Sequence, residues 1–114
     1  MQNEVPLFQK TYDFYKLFYL YLDNFPKKSR ETLTGKIEST ILGLLEDITK
    51  ADFAKQTAKL NYLIGASAKL DFLKVLIRLT FDLKLIDQKK YIFLEDNLQE
   101  MGRMLGGWIK SLKH

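Results

Sequence analysis

Proton transfer near neutral pH and metal binding fall mostly to histidine, cysteine and carboxylate side chains. This sequence supplies them sparsely: its single histidine is His114, the last of 114 residues, and it has no cysteine. A terminal imidazole has little chain around it to hold it in place. Without thiols, disulfides and thiolate metal sites are excluded, and no redox compartment is implied. Glu95, Asp96 and Glu100 imitate metal-ligand spacing, but a di-metal bundle needs inward-facing Glu-x-x-His pairs on two helices, and none exists. They read instead as a solvated acidic flank beside Leu94 and Leu98. Ser29, Ser39, Ser67 and Ser111 have neither a histidine nor an evident lysine partner to activate them. Gly102, Gly106 and Gly107 follow no strand, so they form no phosphate-cradling loop. These residues describe a protein that is not an enzyme and needs no cofactor or metal.

What chemistry remains is electrostatic. Net charge is +4, and residues 53–86 hold Lys55, Lys59, Lys69, Lys74, Arg78 and Lys84 against only Asp71 and Asp82, while the other segments are near neutral. A basic stripe suits a polyanion such as nucleic acid; the plainer reading is a solvated helix face that keeps the protein soluble. Lys74 and Arg78 stand one helical turn apart and can address one phosphate-rich ligand, although Arg78 can equally pair with Asp82, four residues on. No apolar run approaches the roughly 18 residues needed to cross a bilayer. The polar start Met1-Gln2-Asn3-Glu4 shows no signal-peptide pattern. The expectation is a cytoplasmic protein with no membrane partner.

Helices must position these groups. Pro6 fits a first helical turn, and Pro26 closes the first helix near Asn24. Between them run two apolar seams in steps of three and four: Val5, Phe8, Tyr12, Tyr15, Tyr19, Leu22, and Leu7, Thr11, Phe14, Phe18, Tyr21, Phe25. A second helix, over 27–51, carries one stripe of Leu33, Ile37, Ile41, Leu44 and Ile48. Asp52 is read as the N-cap of a third helix over 53–86, and Asp87 as that of a fourth over 88–112. The first helix spans 6–24. Short connections make neighbours antiparallel, so residues 1–114 form one all-α domain, an up-down-up-down antiparallel four-helix bundle.

The third helix has apolar surface to spare. Leu63, Leu70, Leu73, Ile77 and Phe81 make one seam; Phe72, Val75, Leu76, Leu79, Leu83 and Ile86 make a second, and a polar wedge of Asp71, Lys74, Arg78 and Asp82 lies between. A helix in a lone bundle buries one face, so self-association through Phe72, Leu76 and Leu79 is the simplest remedy. An aromatic-filled broad core or a covering partner protein would serve as well.

The fourth helix breaks a local rule. Glu100-Met101-Gly102-Arg103-Met104-Leu105-Gly106-Gly107-Trp108-Ile109-Lys110 places three glycines inside the stripe Tyr91, Leu94, Leu98, Met101, Leu105, Trp108, Leu112. Each glycine disfavours a helix by about 1 kcal/mol relative to alanine. Gly102 and Gly106, four apart, open one face to close approach of another backbone, so Gly102, Gly106, Gly107 and Trp108 are expected at a close-packing or oligomer interface. This string resembles the C-terminal helix of Avd-like proteins, the accessory variability determinants of diversity-generating retroelements. They belong to a wider group of small four-helix proteins, some encoded in intervening sequences of large ribosomal RNA genes. Leu70-Asp71-Phe72-Leu73-Lys74-Val75-Leu76-Ile77-Arg78-Leu79 resembles the family's third helix, where apolar residues surround a basic group. Lys74 stands where relatives often carry arginine, and so lacks the bidentate fork.

The resemblance implies a ring-like homo-oligomer, a pentameric barrel of four-helix protomers. It implies binding to a reverse transcriptase and its template, RNA or RNA/DNA, in support of mutagenic reverse transcription. Lys55, Lys59, Lys69, Lys74, Arg78, Lys84 and Arg103 are the residues offered to nucleic acid or polymerase. The alternative is a self-assembling structural protein of the ribosomal intervening-sequence type, with no retroelement role and with lysines that serve solubility. The asparagine motifs of that branch are not evident around residues 36–46. A third reading, from another class, is a small-molecule binder with an aromatic cavity among Tyr12, Tyr15, Tyr19 and Trp108.

Overall fold

Pro6 opens α1 (Pro6–Tyr21), where its fixed φ and missing N–H cost nothing. A computed structural model describes residues 6–113, so Val5, the first four residues and His114 lie outside the described residues. Of the two expected seams of α1, Leu7, Thr11, Phe14 and Phe18 face the core. Thr11 is tolerated there because its hydroxyl donates to the Leu7 carbonyl at 2.8 Å. The chain then makes a 3-10 turn at Leu22–Asn24 and becomes extended at Phe25 (φ −94°, ψ 142°), as a residue before proline prefers. Phe25 packs edge-on against Phe18, with ring centroids 5.7 Å apart. The other seam lies outward and toward the next helix: Tyr15 donates to Glu38 at 3.3 Å, while Tyr12 and Tyr19 are exposed.

The expected helix at 27 is instead a 3-10 turn, Lys27–Ser29, and α2 (Leu33–Phe53) begins six residues later. A side-chain relay holds the turn. Ser29 donates to the Pro26 carbonyl at 2.8 Å, which leaves the hydroxyl of Thr34 to donate to Ser29 at 2.7 Å. At the other end α2 runs past Ala51 to Phe53, so Asp52 lies in its last turn and is not the N-cap residue of α3 (Gln56–Asp82). Lys55 takes the capping position there, with no side-chain bond. Residues 83–87 are a loop and not helix: Lys84 adopts φ 65°, and Leu85 N donates to the Thr80 carbonyl at 2.9 Å to close α3. Asp87 does cap α4 (Gln88–Ser111), accepting from Lys90 N at 2.8 Å.

Contacts read in sequence order give the directions of the helices. Lys36 meets Phe72, Asp47 meets Lys69, and Lys50 meets Tyr62, so α2 and α3 are antiparallel. Phe81 stacks on Tyr91 at 4.5 Å while Lys59 reaches Trp108, so α3 and α4 are antiparallel as well. Tyr21 at the end of α1 meets Lys90 at the start of α4. The result is a four-helix bundle measuring 44 × 25 × 22 Å, its long dimension set by the 27 residues of α3. Its core includes Phe14, Phe18, Ile41, Leu44, Leu73, Ile77, Leu98 and Met101. Among the described residues no buried side-chain polar atom lacks a partner.

Candidate assembly and nucleic-acid surfaces

At about 100° per residue, α3 turns Leu63, Ala66, Leu70, Leu73, Ile77 and Thr80 inward. Ile64, Phe72, Val75, Leu79 and Leu83 then fall on the opposite side, and all five are exposed, Val75 at 61%. They form an apolar stripe about 28 Å long. Leu76 and Ile86, expected in this seam, are corrections: each is 6% exposed and belongs to the protomer's core. Leu76 turns toward Leu73 and Ile77 because it lies one residue, or one 100° step, beyond Val75. Ile86 lies beyond the end of α3. Lys36 of α2 borders the stripe, its ammonium 5.9 Å from the centre of the Phe72 ring.

The expected cations do not form one patch. Lys69 faces α2 and bonds Asp47 at 2.7 Å, with the Asp47 side chain largely buried. Two glycines make room for this bridge. A Cβ at Gly43 would come within 3.1 Å of Lys69 Cε, and one at Gly65 within 3.3 Å of Asp47 Oδ2. Arg78 takes the plainer course, bonding Asp82 at 3.1 Å; that carboxylate, and secondarily Tyr91, raises the guanidinium above its ordinary pKa. Arg103 bonds Glu100, Nε to Oε1, at 3.1 Å. Lys74 lies beside Gly102, and Lys55 and Lys59 stand at the opposite end of α3 from Lys84. Across a helix of 27 residues that separation is about 40 Å.

Gly102 and Gly106 border a shallow polar groove between α3 and α4, with Ser67, Asp71, Lys74, Gln99 and Arg103 on its rim. The expected close approach of backbones does not occur within the bundle. A Cβ at Gly102 would meet only Lys74 Nζ at 3.5 Å and Leu70 Cδ2 at 3.8 Å, and at Gly106 or Gly107 nothing within 4 Å. Trp108 is half-buried beneath Lys59, whose ammonium lies 5.7 Å from the ring centroid. Close approach happens instead at Gly35, where a Cβ would stand 2.5 Å from the Arg30 carbonyl oxygen. A glycine in the first turn of a helix, just after Leu33-Thr34, is the sequence signal for it.

The aromatic groups singled out for a small-molecule cavity go to different neighbours: Tyr15 to Glu38 of α2, and Trp108 to Lys59 of α3. Glu95 accepts from Tyr91 at 3.0 Å. Among the described residues no group of three histidine, cysteine or acidic side chains is placed to hold a metal, and no helix is long and apolar enough to cross a membrane. Burial, with Glu38 second, raises the pKa of Tyr15; burial likewise raises Tyr21, helped by Asp87, and Tyr91, helped by Glu95.

The fold and these surfaces define a small all-α bundle whose exposed features are an apolar helix face and scattered, partly ion-paired cations. The family model for bAvd-like proteins matches residues 6–112, and the chain belongs to that family. No curated protein matches it. A solved structure of a protein of unknown function from the S23 ribosomal protein family of Bacteroides thetaiotaomicron shares the fold, with a TM-score of 0.82 at 18% identity over 96% of this chain and 99% of that one.

Proposed function

We propose that this protein is a non-catalytic accessory subunit of a diversity-generating retroelement, a cytoplasmic homo-oligomer that brings a reverse transcriptase together with its template RNA. Membership of the bAvd-like family supports the accessory role. The observation that carries the assembly is the outer face of α3, where Phe72, Val75 and Leu79 are left to solvent by the protomer. A contiguous apolar stripe of this length is the kind of surface that another chain covers. A ring, five-membered as in the family resemblance, would also repeat each protomer's few cations and turn weak phosphate contacts into avidity.

The ion pairs favour a second reading. With Lys69, Arg78 and Arg103 each already holding a carboxylate, the charges can serve solubility alone, as in a purely structural four-helix protein. Co-purification with a retroelement reverse transcriptase and its RNA separates the two. Capture of polymerase and RNA by wild type, with loss of either in Lys74→Ala/Arg78→Ala at unchanged oligomer mass, supports the accessory role. Neither partner captured would leave the structural reading.

A further inference from the structure

One end of the bundle combines an exposed ring with a set of ammonium groups drawn from two helices. Phe53, the last residue of α2, is 67% exposed. The neighbouring Lys59 ties three helices together there: it donates to the Asp52 carbonyl at 3.4 Å and lies 5.7 Å from the Trp108 ring of α4. Lys55 is exposed at the start of α3, and Lys110 and Lys113 are exposed at the end of α4. Lys50 is already committed to Glu46 at 2.9 Å.

Helix dipoles account for only some of these charges. Lys110 and Lys113 stand at a helix C-terminus, where cations are favoured. Lys55 and Lys59 stand at an N-terminus without an acidic residue in its first turn, where cations are disfavoured. The Asp52 carbonyl and the Trp108 ring account for Lys59, so it is Lys55 that the dipole leaves unexplained. A flat exposed ring amid ammonium groups suits a nucleotide, whose base stacks while its phosphate is neutralised.

We propose that this end, formed by the α2–α3 corner and the last turn of α4, is a seat for single-stranded nucleic acid, with Phe53 stacking a base and Lys55, Lys59, Lys110 and Lys113 meeting phosphates. The proposal rests on the reading that the protein binds RNA and assigns where. It places the contact away from the α3–α4 wedge, where Arg78 is held by Asp82.

The test uses a fluorescein-labelled 20-nucleotide uridine oligomer and the full chain, with binding followed by anisotropy across a salt series. Trp108 is the sole tryptophan, so its emission reports locally. Phe53→Ala should bind at least about fivefold more weakly, since a stacked base contributes roughly 1–3 kcal/mol, and Phe53→Tyr should restore binding. Lys55→Ala/Lys59→Ala should lower the log–log salt slope by about 1.4, at roughly 0.7 per phosphate contact. Wild type should show quenching of Trp108. If both end variants bind as wild type while Lys74→Ala/Arg78→Ala loses RNA binding with its mass unchanged, this seat is wrong and the accessory role stands. If wild type binds no RNA, both fall. Phe53-dependent binding to phosphatidylserine vesicles without RNA binding would also overturn the proposal, because the same ring and lysines would then serve a lipid surface.

Discussion

Gly35 and Gly106 show how differently the same residue can be used. At Gly35 a methyl group would stand 2.5 Å from a backbone oxygen that cannot swing away. Gly35→Ala should therefore destabilise by about 1–3 kcal/mol, the usual range for overpacking, and lower the melting temperature by several degrees. Gly106→Ala meets nothing within 4 Å and should gain up to about 1 kcal/mol of helix propensity, so its protomer should melt higher. Reversal of that order in paired thermal melts would refute both assignments. The sequence pointed to the right residue type at the wrong positions. A glycine's constraint comes from its neighbours in space, and Gly35's neighbour belongs to a turn that periodicity reads as helix. Tyrosine ionisation belongs to this scale as well. Tyr15, Tyr21 and Tyr91 have folded pKa values raised above 10, so their contribution is complete below the unfolded pKa and is lost as pH rises beyond it. Stability should fall above about pH 10, and urea midpoints should show a shallower fall in Tyr15→Phe, which keeps the ring and removes the ionising group.

The helices themselves were legible because their apolar spacing repeats over several turns; their ends were not. One rule, acid at the cap, succeeds at Asp87 and fails at Asp52. Asp87 has a free backbone amide three residues on to accept from, at 2.8 Å, whereas α2 simply continues through the buried Ala51 to Phe53. Asp87→Ala should accordingly cost about 1 kcal/mol in chemical denaturation, and an unchanged midpoint would deny the cap. Between α2 and α3 the Lys69–Asp47 bridge was hidden from the sequence, since no local pattern pairs residues 22 apart. Its lysine is substantially exposed, so a double-mutant cycle with Lys69→Met and Asp47→Ala should give a coupling below about 1 kcal/mol. A markedly larger coupling would make this bridge a principal tie between the two helices.

For the whole molecule the informative mismatch is between a protomer with a filled core and a third helix that is apolar on its outer face too. The excess of apolar residues in α3 was visible in the sequence. Which of them face outward was not settled for Leu76 and Ile86, because assigning them requires the helix's rotation and its end. On α3, Ile64, Phe72, Val75, Leu79 and Leu83 are the residues that remain to be covered. Glutamates at Phe72 and Leu79 would set charges in a dry contact, where burial without a partner is costly, yet would leave a lone protomer's core intact. The decisive measurement is mass by light scattering, wild type beside Phe72→Glu/Leu79→Glu, with circular dichroism on the same samples. The account predicts a wild-type particle several times the 13.4 kDa protomer and a smaller, still helical variant. A wild-type mass of one protomer, or a variant that assembles as wild type does, would contradict it.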